Sequence, residues 1–253
     1  MTVTFLGTGT SQGVPVIGCD CAVCQSPDPR DNRLRTSVHI EAEGTSIVID
    51  TGPDFRQQML RENIRKIDAI FFTHQHKDHV AGMDDIRSFY FRQKTEIPVY
   101  ANSITIERLK AEFPYVFKPG NYKGIPKIRI YTLTGDEFEV KGIRVRPIEL
   151  THFDLKVMGF RIGDFTYLTD VNFISEDAAR LISGSQILVI NALQKEPHPS
   201  HFTLDQALKE IDRFKPERAY LTHMSHRMGL HEEVSKELPD NVFLAYDGLK
   251  ITI

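Results

Sequence analysis

One segment constrains this chain more than any other. The apolar run Ala69-Ile70-Phe71-Phe72 has the length and composition of a buried strand, and it leads straight into Thr73-His74-Gln75-His76-Lys77-Asp78-His79. If the chain leaves the strand extended, His74 and His76 point the same way, roughly 6 to 7 Å apart at the backbone. Both rings can then reach one metal ion. Asp78 and His79 fall at a turn and can face a second ion. A lone histidine pair is ordinarily a surface or satisfied core feature, but this density of His and Asp after a buried strand reads as a metal motif.

The same context recurs three times. His152 follows Ile148-Glu149-Leu150-Thr151, Asp170 follows Tyr167-Leu168-Thr169, and His223 follows Tyr220-Leu221-Thr222. Each alone is as readily structural, whereas together they place ligands at one rim of a β core.

The surrounding pattern predicts strands at Thr2 to Leu6, Ser37 to Glu41, Ser46 to Asp50, Asp68 to Thr73 and Ile97 to Tyr100, with a helix over Asp54 to Asn63. A second β-rich half follows, with strands at Ile128 to Leu133, Phe138 to Val140, Ile143 to Leu150, Lys156 to Ile162, Phe165 to Thr169, Ile187 to Ile190 and Arg218 to Thr222, and helices at Glu176 to Ile182 and Leu204 to Phe214. No repeat or linker divides residues 1–253, so we read one domain. Two β-rich halves with helices outside make an α/β, αββα sandwich. Phe113 to Pro126 loses the pattern and reads as a long loop, either a lid or a surface loop with no role.

Composition removes whole classes of function. A net charge of -3 from 31 basic and 34 acidic residues argues against a broad nucleic-acid surface. No apolar stretch is long enough to span a membrane, and Met1 to Gly9 shows no secretory signal, which makes a cytoplasmic location the default. All 3 cysteines, Cys19, Cys21 and Cys24, lie close together, whereas a disulfide framework spreads an even number along the chain. Metal binding is the first reading, with three free thiols the alternative. Gly7 to Gly13 is a poor dinucleotide fingerprint, because its third glycine comes one residue late and Val14-Pro15 does not open a helix.

His74-x-His76-x-Asp78-His79 followed by His152, Asp170 and His223 resembles the signature of the metallo-β-lactamase fold superfamily, as does Ile49-Asp50-Thr51-Gly52. The resemblance implies that His74, His76 and His152 hold one divalent ion, that Asp78, His79 and His223 hold another, and that Asp170 bridges them. Asp50 then either orients a ligand histidine or caps the turn at Gly52. An aspartate at the bridging position favours hard ions such as Mn²⁺ while accepting Zn²⁺, and raises phosphoester hydrolysis among the superfamily's chemistries.

The cysteines narrow the likeness. Cys19, Cys21 and Cys24 lack one ligand for a tetrahedral structural Zn²⁺, and His226 is the best candidate. With Gly7 to Pro15 and Tyr246-Asp247-Gly248, the set is similar to PhnP-type phosphodiesterases. That resemblance implies His201 and Asp78 as catalytic residues, His201 protonating the leaving oxygen with His198 as a rival donor. It also implies a small phosphodiester, such as a ribose cyclic phosphate, as substrate, and a homodimer. Asn191-Ala192-Leu193 departs from the family's more polar, Asp-containing pattern. The rivals are an RNase Z-type tRNA-processing nuclease, a thioesterase, and a catalytically silent PqqB-like relative. His39 and His231 read as structural. Arg30, Arg33 and Arg35 read as a solvated loop face, with a substrate phosphate as the other option.

Overall fold

The computed structural model describes residues 1–118 and 124–253. Its core is a pair of seven-stranded sheets. In chain order the first sheet takes β1 (Thr2–Gly7), β2 (Ser37–Ala42), β3 (Thr45–Ile49), β4 (Ala69–Phe71), β5 (Ile97–Ala101) and β6 (Ile128–Thr132). The second takes β7 (Phe138–Val140), β8 (Ile143–His152), β9 (Leu155–Ile162), β10 (Phe165–Tyr167), β11 (Ile187–Asn191), β12 (Arg218–Thr222) and β13 (Val242–Leu244), after which β14 (Lys250–Thr252) returns to pair with β1. The orders are β14-β1-β2-β3-β4-β5-β6 and β13-β12-β11-β10-β9-β8-β7.

Helices cover the outer faces: α1 (Phe55–Arg61), α2 (Lys77–Val80), α3 (Arg87–Gln93), α4 (Ser103–Glu112) and α5 (Pro114–Phe117) in the first half, then α6 (Glu176–Ile182), α7 (Leu204–Phe214) and α8 (His231–Ser235). Three apolar clusters bind these layers. One lies between the sheets and joins Val3, Phe5 and Phe71 to Phe160, Tyr167 and Val189. The others pack each sheet against its helices, Ile70 and Phe72 against Phe55, Phe89 and Leu109, and Leu188 and Leu221 against Ile182, Ile211 and Phe214. Four layers with the apolar faces inward are the expected αββα sandwich.

Sequence dictates these elements locally. Helix α7 buries Leu204, Ala207, Ile211 and Phe214, the three-and-four spacing of a single helical stripe, and Thr203 closes its start in a capping box with Gln206. In contrast, β4 has no polar alternation because both its faces are covered. The loop expected over Phe113 to Pro126 is corrected at its start, where Pro114 opens the short helix α5. Residues 119–123 of that stretch lie outside the described residues. Among the described residues, no helix is long and apolar enough to cross a membrane.

Candidate active site

Where the central strands end, the sandwich gathers its polar side chains. After β4 the chain continues through Thr73 and His74, and His76 begins α2, which carries Asp78 and His79. A Cβ on Gly52 would stand 2.1 Å from the Asp78 carbonyl oxygen, so only glycine lets α2 settle against this turn. From the second sheet, β8 ends on His152, Asp170 lies just beyond β10, and His223 follows β12. Asp50, Asp170 and His223 all adopt left-handed backbone, at φ of 65°, 56° and 58°. Such conformations are uncommon outside glycine and are held here by the surrounding fold.

These residues meet. The nitrogens of His74, His76 and His152 form one group able to hold a metal ion, and Asp78, His79, Asp170 and His223 form a second. Asp170 lies between them, with Oδ1 4.0 Å from His74 Nε2 and 3.1 Å from His223 Nε2, and Oδ2 3.2 Å from His79 Nε2. Asp78 Oδ2 is 3.3 Å from His79 Nε2 and 3.5 Å from His223 Nε2. The imidazole nitrogens His74 Nε2, His79 Nε2 and His223 Nε2 are buried without a hydrogen-bond partner among the described residues. Buried polar atoms are ordinarily paired, so an orphaned set converging on two carboxylates fits a pair of divalent cations.

The candidate ligands are themselves oriented. Asp50, fully buried, accepts from the Thr73 backbone N–H at 2.8 Å, from the Thr73 hydroxyl at 2.8 Å and from His79 Nδ1 at 2.7 Å, leaving His79 Nε2 to face Asp78 and Asp170. His152 Nδ1 donates to the Ser200 carbonyl at 2.7 Å. Burial opposes charge on His79, but Asp170, Asp78 and Asp50 together hold its pKa well above the usual histidine value. Burial likewise opposes charge on Asp170, yet His223 and His79 keep its carboxyl well below the ordinary carboxylate range. His74 has too little counter-charge, and burial pushes its pKa well down.

His201 sits at the edge of this cluster, its ring 4.6 Å from that of His152 and 4.8 Å from that of His223, with Nδ1 3.8 Å from Asp170 Oδ1. Burial, reinforced by His223, pushes it down to about 3. It also forms a third possible ligand group with His152 and Asp170. His198 lies further out, its ring 5.2 Å from that of His201.

Away from this centre, Cys19, Cys21 and Cys24 surround His226, whose Nδ1 is 3.3, 3.4 and 3.6 Å from the three sulfurs. All three thiols are free. A backbone N–H from Cys24 leads the interactions that draw the Cys21 thiol down to about 6, while burial pushes Cys24 up to about 11. Three sulfurs around one ring nitrogen at this spacing fit a tetrahedral ion.

Known proteins share this plan. The β-lactamase superfamily domain matches residues 45–224. A solved diphosphatase of the PhnP family superposes over 100% of this chain and 97% of its own, with a TM-score of 0.93 and 41% identity. The chain belongs to the PhnP family of metallo-β-lactamase-fold hydrolases. An octanoyltransferase of Porphyromonas gingivalis is 38% identical to this PhnP-family chain across its whole length, and a ribonuclease Z of Methanosarcina acetivorans is 30% identical over 160 residues, 60% of the chain. The chain spans 52% of the first and 45% of the second, about half the length of these relatives. Divalent metal binding is a property of this fold, and the His/Asp clusters for it are present.

Three roles in the PhnP-family chain were not apparent from sequence. Asn191 accepts from the Val171 N–H at 2.8 Å and donates to the Val171 carbonyl at 3.1 Å, fixing the backbone just after Asp170. Its position at the end of an apolar strand was the available signal. Thr73 joins Asp50 to His74, its hydroxyl 3.0 Å from His74 Nδ1. Of the three arginines expected on a solvated face, Arg33 departs, fully buried beside Asp31, while Arg30 and Arg35 stay partly exposed and pair with Asp28 and Asp54.

Proposed function

We propose that this chain is a two-metal hydrolase of a small-molecule phosphodiester, its ions held by His74, His76 and His152 on one side, Asp78, His79 and His223 on the other, and Asp170 shared. The observation that carries this reading is the convergence of orphaned histidine nitrogens on Asp170 and Asp78. When bound, two divalent ions, Mn²⁺ or Zn²⁺, supply Lewis acidity toward phosphoryl oxygens and bring the ionisation of water into the neutral range.

The chain's own residues do the rest. Asp78 and Asp170 present the hard oxygens that suit such ions, and Asp50 and the Ser200 carbonyl hold two imidazoles in the tautomer that faces inward. His201 delivers a proton from the edge of the cluster to the departing oxygen. Burial, reinforced by His223, holds His201 low, and the negative charge of a bound substrate pulls the other way, toward the protonated form. Cys19, Cys21, Cys24 and His226 hold a structural Zn²⁺. Clustered thiols of this kind fit a reducing compartment, which supports a cytoplasmic location.

A cyclic ribose phosphodiester is the substrate we favour. A second reading, hydrolysis of an organic diphosphate, is favoured by the solved relative at 41% identity, a diphosphatase. The test is a panel assayed with Mn²⁺-loaded and Zn²⁺-loaded protein: a ribose cyclic phosphate, a dialkyl diphosphate, a precursor tRNA and a thioester. Turnover of the cyclic phosphate supports the first reading and turnover of the diphosphate the second. Activity confined to the tRNA or the thioester overturns both.

A further inference from the structure

We propose that Arg33 is a positioning residue that couples the cysteine site to the two-metal site, so that filling the first tightens ion binding at the second. This rests on the reading that both sites hold ions. The chain leaving β12 serves the two centres within four residues. His223 Nε2 lies 3.1 Å from Asp170 Oδ1, and His226 Nδ1 faces the three cysteine sulfurs. Between them, Met224 is fixed from both sides, donating to the Thr8 carbonyl at 2.8 Å and accepting from the Thr10 N–H at 3.1 Å, and the Ser225 N–H is held by the Leu193 carbonyl at 2.8 Å.

The remaining backbone handle of this link is the Ser225 carbonyl, which accepts from the Met228 N–H at 3.2 Å and, more closely, from the Arg33 guanidinium. Nη1 donates to it at 2.9 Å, while Nη2 donates to the Gly229 carbonyl at 3.1 Å and to Asp31 Oδ1 at 3.2 Å. One planar group thus grips the chain on both sides of His226-Arg227-Met228. The Arg33 backbone in turn exchanges hydrogen bonds with Val14 at 2.7 and 2.9 Å, fixing the strand that leads into the cysteine loop. Cys24 Sγ accepts from the Val16 N–H at 3.3 Å, which closes the circuit.

A buried arginine is a costly way to fill space, since hydrophobic groups of similar size often do so at least as well. What it supplies is a rigid fork with several fixed donors. His223 holds a left-handed backbone at φ 58°. Such a conformation persists only while its surroundings over-determine it. Emptying the cysteine site frees His226, the movement passes through the Ser225 carbonyl, and His223 loses its aim at the second ion.

Cobalt distinguishes the two sites. Chelator-treated protein is titrated with Co²⁺, with the thiolate charge-transfer band reporting the cysteine site and a competing chelator reporting affinity at the histidine site. Reversible capping of the thiols with a methanethiosulfonate should abolish the band and weaken the histidine site by roughly 10- to 100-fold, the size of effect that supporting residues exert on metal affinity. Removing the cap with reductant should restore both. Arg33→Met should keep the charge-transfer band yet show no such dependence, and Arg33→Lys, whose single nitrogen lacks the planar fork that reaches both carbonyls, should recover only part of it. No charge-transfer band in uncapped protein overturns the reading of the cysteine site itself. A band with equal histidine-site affinity in capped and uncapped protein overturns the coupling, and coupling that survives in Arg33→Met removes Arg33 from it. Because the capping arm uses wild-type protein, the coupling is tested even where a variant fails to fold.

Discussion

Asp50→Asn isolates the orienting hydrogen bond beneath the proposed second ion. Asparagine has nearly the same shape and tolerates the left-handed backbone at φ 65°, so the substitution brings no new strain. The Thr73 backbone N–H cannot turn away from Oδ1, which forces the amide oxygen to that position and puts the amide N–H₂ where Oδ2 stood. There it faces His79 Nδ1 at a spacing of 2.7 Å in the native protein. His79 must then accept on Nδ1 and carry its proton on Nε2, the atom aimed at Asp78 and Asp170. The lone pair needed by the ion is lost from that tautomer. Loss of such an orienting partner costs 10- to 100-fold in metal affinity, or about 1.4 to 2.7 kcal/mol. Linkage makes the same amount appear as lost stabilisation at saturating ion. Urea unfolding with excess Zn²⁺ and with chelator, run beside isothermal titration, measures both. An ion-dependent stabilisation identical in wild type and Asp50→Asn would show that Asp50 does not set the tautomer.

Four further outcomes follow from other parts of the molecule. Cys21→Ser should lose one equivalent of zinc by elemental analysis while the histidine-site ions remain detectable at high metal concentration. For His201→Ala, turnover of a ribose cyclic phosphate should fall roughly 10² to 10⁴-fold, with a clearly smaller loss on bis(p-nitrophenyl) phosphate, whose leaving group needs no proton; equal losses would assign His201 to positioning or metal binding. Burial pushes His39 down to about 4, below the unfolded value of about 6.5, so its contribution is present above pH 6.5 and lost as pH falls toward 4. Urea unfolding at pH 7.5 and 4.5 should therefore show less loss of stability in His39→Gln than in wild type, by up to about 3 kcal/mol. Phe160→Ala removes a fully buried ring packed 5.1 Å from Phe71 between the sheets, and denaturant unfolding should register about 3 to 5 kcal/mol of destabilisation.

Much of the ligand geometry was legible because each ligand follows an apolar strand, and strand ends are forced to one rim once the strands are laid side by side. The sandwich was legible for the same reason, since its longer strands and α7 carry strong periodicity. The elements that escaped carry little of it. Strands β13 and β14 have three residues each, too short for alternation to show. Helix α4 buries only Thr105, Ile106 and Leu109 across ten residues, so its stripe is faint. Arg33 was misread because charge in a Pro- and Asp-containing loop ordinarily means solvent, and only tertiary placement reveals the carbonyls and the carboxylate that make its burial tolerable.

Because the proposed ligand set draws four members from one sheet and three from the other, ion binding reports on more than the rim. His74, His76, Asp78 and His79 belong to one layer and His152, Asp170 and His223 to the other, so sliding or parting of the sheets dismantles both ion sites at once. In the proposed assignment the ions act as rivets across the sandwich. Any excursion that exposes the aromatic seam of Phe5, Phe71, Phe160 and Tyr167 must then also release metal, and at an ion concentration 1,000 times the dissociation constant each such opening is opposed by about 4 kcal/mol per ion released. Protease resistance and amide-proton exchange deep in the seam should then follow free-metal concentration, making the strength of the scaffold a variable that the supply of ions sets.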